Sequence, residues 1–304
     1  MPVLPVLITF FNRPANLEAL LMAISKQENL ELFFASDGPR NESDSAAIDL
    51  CWKLIEKYYG SIEFENILRR STNLGCKLAM KGSIDWFFDQ VDYGVILEDD
   101  CVPNKEFFAI MLKSLITYKD NPDILCLSGS DYLPQDATPK DYLFRDSIFP
   151  MVWGWGSWSH KWKLYQMEIP DSRIIVERAA KKLFGRQNPV MKYIFKNVFN
   201  MRFNEVEKGI IDTWDYSLVA TCWRHDLRVL QLNGNTILNS GFGLNATHTK
   251  NPPPTWVPKT YSQNFPKVLG HSGYNPTYDI WMVHNVYNCT FLEVIKNTIK
   301  RVMR

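Results

Sequence analysis

A chain of 304 residues is long enough for one large α/β domain, or two modest ones, with a sizeable buried core. Apolar residues at 46% and charged residues at 22% are ordinary for a globular protein, but 10 Trp, 13 Tyr and 18 Phe are an aromatic excess. Flat rings of this kind stack on sugars, sit at membrane interfaces or fill cores. A formal net charge of +1 excludes the domain-wide basic field that nucleic acid binding needs, and no apolar run is long enough to span a bilayer.

The apolar run from Pro2 to Phe11 lacks a basic start and reads as a first strand, not a leader. Six cysteines (51, 76, 101, 126, 222 and 289) form no CxxC pair. Four are evenly spaced, but their flanks share nothing, so there is no repeat. A reduced, cytoplasmic setting is expected. Asn41, Asn245 and Asn288 begin glycosylation sequons, which are common by chance.

Val3–Phe10 reads as a fully buried strand with a turn at Asn12-Arg13-Pro14, then a helix with Leu17, Leu20, Leu21 and Ile24 on one face. Leu30–Ala35 is a second strand ending at Ser36-Asp37-Gly38-Pro39, and Ser45–Tyr59 a helix. Ile62–Arg70 is expected as a strand, Ala79–Phe88 as a helix, and Gly94–Leu97 as a short buried strand running into Glu98-Asp99-Asp100. Phe107–Tyr118 is helical and Ile124–Ser128 a strand. From about Asp131 the pattern is irregular, with a Trp/Gly run over residues 153–162. A basic, aromatic-rich helical region then spans 174–208, and a helix with a strand at Arg228–Leu232 follows. Pro252-Pro253-Pro254 marks a linker, and Phe291–Arg304 an amphipathic helix. Strands alternating with helices predict an α/β fold, with a mostly parallel sheet flanked by helices.

In such sheets ligands lie outside the carboxyl ends of the strands, where Asn12-Arg13, Ser36-Asp37 and Glu98-Asp99-Asp100 all fall. In an extended segment Glu98 and Asp100 point one way and Asp99 the other. Crowded carboxylates repel unless a cation lies between them, and a hard divalent ion arriving with substrate phosphates is the natural partner. A solvated acidic turn is the plainer reading.

The segment Val95-Ile96-Leu97-Glu98-Asp99-Asp100-Cys101-Val102-Pro103 resembles the acidic metal-binding motif of GT-A glycosyltransferases. Its Glu-Asp-Asp form is similar to that of N-acetylglucosaminyltransferase I-like enzymes, and it departs from the frequent Asp-x-Asp spacing. Asn73-Leu74-Gly75-Cys76-Lys77, Trp153-Gly154-Trp155-Gly156-Ser157-Trp158 and Asp212-Thr213-Trp214-Asp215-Tyr216 resemble segments of bacterial nucleotide-diphospho-sugar transferases, as does the stretch from Gly241 to Thr249. The resemblance implies a GT-A fold and a UDP-sugar donor carrying GlcNAc or another hexose. It also implies a glycan or lipid-linked glycan acceptor, in glycan or surface polysaccharide synthesis. Asp100 would hold Mn²⁺ or Mg²⁺ against the donor diphosphate, Asp99 would take a ribose hydroxyl, and Glu98 would face the donor sugar. Asp37 would contact the uracil and Arg13 the diphosphate, with Phe10, Asn12 and Lys77 completing the donor contacts.

Asp212 and Asp215 lie about one helical turn apart, so both can face one cleft. Inverting transfer needs a carboxylate to take the acceptor proton, and the match at Trp214-Asp215 points to Asp215, leaving Asp212 as the other catalytic candidate or a helix cap. His248 is a candidate second metal ligand or phosphate contact, or a structural hydrogen-bonder. Gly154 and Gly156 permit close approach to a ligand, and Trp153, Trp155 and Trp214 are the candidate sugar platform, with one or two of the indoles in this run expected in the core. Leu292, Ile295, Ile299 and Val302 form one stripe of the last helix, with Lys296, Lys300, Arg301 and Arg304 elsewhere. The helix suits either an anionic membrane's inner face or packing on the body.

The expected organisation is residues 1–130 holding the nucleotide, 131–250 shaping the acceptor site, and 251–304 as linker and terminal helix. A nucleotidyltransferase would need a Gly-rich loop after the first strand, which Phe10-Phe11-Asn12-Arg13-Pro14 lacks. A retaining transferase on the same fold and a non-catalytic sugar-binding protein also fit these motifs.

Overall fold

Leu4–Phe10 (β1) is buried at every position, as a strand covered on both faces must be. The computed structural model describes residues 2–242 and 252–302, and in it β1 lies between two parallel neighbours, Leu30–Ser36 (β2) and Tyr93–Glu98 (β4). Helices Pro14–Ile24 (α1), Glu42–Tyr59 (α2) and Gly75–Phe88 (α3) make the intervening connections, with Ile67–Arg69 (β3) beside β2 at the sheet edge. The strand expected over residues 62–70 is therefore short. Its first half makes a 3-10 turn with Phe64 projecting into solvent.

After β4 come Cys101–Pro103 (β5), Lys105–Tyr118 (α4) and Ile124–Ser128 (β6). Asn41 caps α2 through the Asp44 amide, and Asn104 caps α4 through the Phe107 amide; each such cap is worth about 1 kcal/mol. Asn41, the first residue of a sequon, thus has a structural use.

The second half adds Phe144–Ser147 (β7), Trp155–Trp158 (β8), Ser159–Trp162 (α5), Ser172–Phe184 (α6), Pro189–Glu207 (α7), Asp215–Arg224 (α8), Arg228–Leu232 (β9) and Ile237–Asn239 (β10). His271–Tyr274 (β11), Pro276–Asn285 (α9) and Phe291–Val302 (α10) end the described chain. The main sheet has the order β11-β7-β9-β6-β8-β4-β1-β2-β3. Six of its strands point one way; β8, β7 and β11 run against them. The architecture is α/β, a mostly parallel sheet flanked by helices. Because β11 joins this sheet beside β7, the segment from residue 251 carries part of the body as well as a linker and a helix.

The Trp/Gly run departs most from expectation. Four of its residues form β8, which inserts antiparallel between β4 and β6 at the middle of the sheet. Trp155 and Trp158 are 1% and 0% exposed and belong to the cores on opposite faces. Burying rings of this size contributes about 4–6 kcal/mol each before the entropy of ordering is subtracted. The glycines answer to packing, not to a ligand. A Cβ on Gly154, whose φ is +62°, would lie 2.4 Å from the Ile237 side chain, and one on Gly156 would lie 3.1 Å from the Gly94 carbonyl oxygen.

α10 packs on α7 through Glu293, Val294 and Asn297, while Phe291, Leu292 and Ile295 stay exposed. The helix does rest on the body, with a face other than the one that carries Leu292 and Ile295. No helix among the described residues is long and apolar enough to cross a membrane.

Candidate active site

The carboxyl ends of β1, β2 and β4 open on a cleft of about 600 Å³, a size usual for a small-molecule or cofactor site. Its wall gathers Phe10, Arg13, Asp37, Glu98, Asp99, Asp100, Trp153, Asp212, Trp214 and Asp215, residues far apart in sequence.

Arg13 immediately precedes α1 and reaches across the end of β1 to the acidic run. It donates Nε at 3.2 Å and Nη2 to Asp99, and Nη1 at 2.9 Å to Asp100. Asp99 is 1% exposed, so this paired contact is what compensates its burial. Burial alone would lower the Arg13 guanidinium's pKa. Asp99 and Asp100 outweigh it, raise the pKa and hold the group protonated. Burial pushes the Glu98 carboxyl well above the usual carboxylate range, with Asp100 and then Asp99 adding to the rise. Burial also raises Asp99, against the pull of Arg13.

Directly after Asp100 the chain enters β5, which pairs antiparallel with β10 and sets Asn239 opposite Cys101. Asn239 Nδ2 thereby lies 3.3 Å from Asp100 Oδ1, and the Ser240 amide donates to the Asp100 carbonyl. A side chain at Gly241 would fall 2.1 Å from Asp100 Oδ2, so glycine there keeps room over that oxygen.

Two expected site residues, Asp37 as a ligand contact and Asp212 as a catalytic candidate or helix cap, hold the walls through backbone amides. Asp37 accepts from the Gly38, Leu74 and Gly75 amides and from Asn73 Nδ2 at 2.8–3.2 Å, which pins the loop before α3 to the end of β2. Asp212 accepts from the Cys76 and Lys77 amides at 2.7 and 3.0 Å. It does cap a helix, but that helix is α3, 136 residues away in sequence, and not its own. Asp215 is the first residue of α8. Its Oδ1 accepts from Thr213 Oγ1 at 2.5 Å and from the Tyr216 amide at 2.7 Å, which fixes the carboxyl against its own turn.

Three expected contacts stand apart from the cleft. Asn12 donates to Asp44 at 2.6 Å and ties the first turn to α2. Lys77 enters only through its backbone amide. Trp155 is corrected from platform to core: it lies in β8 and stacks on Trp214 at 5.6 Å. Trp214, 2% exposed, gives the cleft only an edge, whereas Trp153 is half-buried on its wall. His248 lies outside the described residues. Arg40 and Asn239 carry no signal in the sequence, because a wall formed by pairing across the fold has no local pattern, whereas Asn73 and Thr213 lie inside motifs that the resemblance singles out without a role assigned to either.

Among the described residues, six carboxylates (Asp37, Glu98, Asp99, Asp100, Asp212 and Asp215) line this cleft against two guanidiniums, Arg13 and Arg40. Burial favours the protonated forms of Glu98 and Asp99, but the four other acids still outnumber the guanidiniums, so such a site repels a diphosphate unless cations accompany it. Among the described residues no three His, Cys, Asp or Glu side chains converge as a metal cage. Asp100 alone fits a Mn²⁺- or Mg²⁺-type ion whose remaining ligands are phosphate oxygens and water, and the donor set does not fit a metal held by protein alone.

No protein-family profile matches the chain, and no curated protein sequence matches it. Among solved structures it is similar to a mannosyltransferase from Pyrobaculum calidifontis in complex with GDP-Man and Mn²⁺, at 12% identity and a TM-score of 0.40, over 73% of this chain and 68% of that one. It is also similar to a mannose-1-phosphate geranyltransferase from Thermus thermophilus, at 11% identity and a TM-score of 0.35, over 76% and 74%. At such low identity and TM-score neither likeness transfers a ligand or a residue role.

Proposed function

We propose that the chain is a nucleotide-sugar-dependent glycosyltransferase of the GT-A type, moving a hexosyl or N-acetylhexosaminyl group from a UDP-sugar to an acceptor hydroxyl with inversion. The observation that carries the reading is the meeting of Glu98-Asp99-Asp100, Arg13 and Asp215 in one cleft at the carboxyl ends of the parallel strands. The UDP donor and the inverting course rest on the sequence resemblance.

Asp100 would hold the divalent ion together with the donor phosphates, and that ion would neutralise charge developing on the departing diphosphate. Arg13, already aligned by Asp99, keeps a guanidinium beside the same position. Glu98 faces the cleft next to it and Trp153 offers a half-buried ring for a sugar face. Asp215, oriented by Thr213 and the Tyr216 amide, takes the proton of the attacking acceptor hydroxyl.

Calorimetric titration of UDP, GDP and CMP, each with and without Mn²⁺, tests the reading. One nucleotide should bind in a metal-dependent way to the wild type and lose that dependence in Asp100→Ala, with the thermal midpoint little changed. Metal-linked binding that persists in the variant would refute the assignment. Measurable hydrolysis of the matching nucleotide sugar separates a transferase from a passive binder.

A further inference from the structure

A second and larger cavity, about 1270 Å³, lies beside the cleft and belongs to no part of the chemistry above. One wall is the loop after Asp131, another the stretch of chain from Thr255 to Pro266, and α9 closes the side with Trp281 and Asn285. Its floor is a buried polar network. Arg145, 1% exposed, donates to Asp131 at 2.8 Å, to Gln231 at 2.9 Å and to Asn233 at 2.9 Å, and Asp131 in turn accepts from Thr138 at 2.7 Å. The outer wall is fastened to it, because Asn235 and Ser262 exchange hydrogen bonds of 2.8 and 2.9 Å. A cavity floored and fastened in this way is preorganised.

The two cavities meet at a pair of indoles. Trp153 lines the first and Trp256 the second, and their rings stack at 5.8 Å with 21° between planes. Tyr132 braces both, its ring 4.9 Å from Trp153 and 5.1 Å from Trp256. Beyond Trp256 the lining mixes half-buried Trp281, Tyr261 and Phe265 with the amides of Gln135, Gln263, Asn264 and Asn285. Asp131 is already neutralised by Arg145, and exposed Asp136 shares the lining with Lys140 and Lys259, so the cavity has no concentrated charge for an anion. Amides and charged side chains interrupt its apolar surface throughout, which disfavours a lipid chain. Aromatic faces for C–H surfaces, with amides that both donate and accept around them, suit a neutral polyhydroxylated ligand. The volume exceeds the roughly 300–1,000 Å³ of small-molecule pockets and suits an extended one.

We infer that this cavity binds a neutral oligosaccharide, the part of the acceptor distal to the reacting hydroxyl, running from Trp153 over Trp256 to Trp281. The acceptor role rests on the transferase reading; the binding of sugar does not. The test titrates the full chain with neutral gluco-, galacto- and manno-oligosaccharides of increasing length, following tryptophan fluorescence, and in parallel with UDP and Mn²⁺. Affinity should rise with length in at least one series. Trp281→Ala should weaken it about tenfold, the scale of a lost ring contact. Gln263→Ala, at an exposed position that folding does not need, should weaken it severalfold. Nucleotide binding should be unchanged in both variants. Failure of every series to bind, or binding indifferent to both substitutions, overturns the inference even if nucleotide binds. Oligosaccharide binding that depends on Trp281 without any nucleotide binding supports the groove and removes the transferase reading instead.

Discussion

Asp212 and Asp215 stand three residues apart and line the same cleft but make different contacts, and substituting each by Asn tests the different roles proposed for them. Asp212 accepts two amides in the first turn of α3, at 2.7 and 3.0 Å. An Asn there keeps one acceptor and turns an N–H₂ toward the other amide. The loss is that of a helix cap, about 1 kcal/mol, raised by several tenths through the charge lost near the helix N-terminus. For a chain of this size that is a fall of about 2 °C in thermal midpoint. Turnover should change little, since Asp212 reaches across to a wall and not to a reacting group. Asp215→Asn keeps the shape and an acceptor for Thr213 and Tyr216, so stability should fall only by the several tenths of a kcal/mol that the charge contributes at the N-terminus of α8, but it cannot accept a proton, and turnover should drop by roughly 10²–10⁴. Gly75→Ala is the internal control. With φ at +78° and a Cβ 2.7 Å from Asp212 Oδ2, it should reproduce the stability loss of Asp212→Asn from the other side of the contact. The assays are product formation at saturating donor and thermal unfolding. A slow Asp212→Asn beside a normal Asp215→Asn would reverse the roles, and two variants of normal rate would remove the base from this helix.

Two further outcomes are expected. Burial holds the Asp279 carboxyl up at about 6, whereas in the unfolded chain it titrates near 3.9; the folded state therefore keeps a proton that the unfolded state releases, and stability is lost as pH rises from about 4 to 6, on the order of 3 kcal/mol from this group. Asp279→Asn should lack that slope, so urea midpoints of the two proteins should converge or cross between about pH 4 and 7.5, and parallel curves would refute the assignment. Removal of residues 291–304 should lower the thermal midpoint, because Val294 and the Glu293–Arg202 pair are lost from α7; if exposed Phe291, Leu292 and Ile295 also dock on anionic membrane, the truncated chain should stop sedimenting with anionic liposomes.

What can be read from the sequence follows the range of the interaction. The seven-residue apolar run of β1 and the acid run closing β4 are local patterns, and both lie where periodicity and composition put them. Asn12 and Asp37 read as ligand contacts because polar residues at strand ends face the site. Their partners, Asp44 and the Asn73–Gly75 loop, lie more than 30 residues away, and no local pattern announces them. Trp155 is misplaced for a related reason. Trp-Gly-Ser-Trp shows no alternation of polar and apolar residues, since a strand inserted between β4 and β6 has no solvent face to mark. Its glycines suggest approach to a ligand but serve the approach of neighbouring strands and side chains.

The division of labour among the acids follows from what each oxygen faces. Asp37 and Asp212 accept backbone amides from the loop and first turn of α3, and Asp99 is enclosed with the Arg13 guanidinium, so these three hold the walls in place. Asp215 accepts on its Oδ1 from its own turn, Thr213 Oγ1 and the Tyr216 amide, which orients the carboxyl at the start of α8. Asp100 shares Arg13 with Asp99 but also lies beneath the space that Gly241 leaves open, with only Asn239 and the Cys101 thiol near its other oxygen among the described residues. A cation entering with phosphate would compete with Arg13 for Asp100 and leave the buried pair with Asp99 intact. The wall would stay in place while one carboxylate changes partner, which is the arrangement a cleft of six acids needs if it is to take up a diphosphate and release it again.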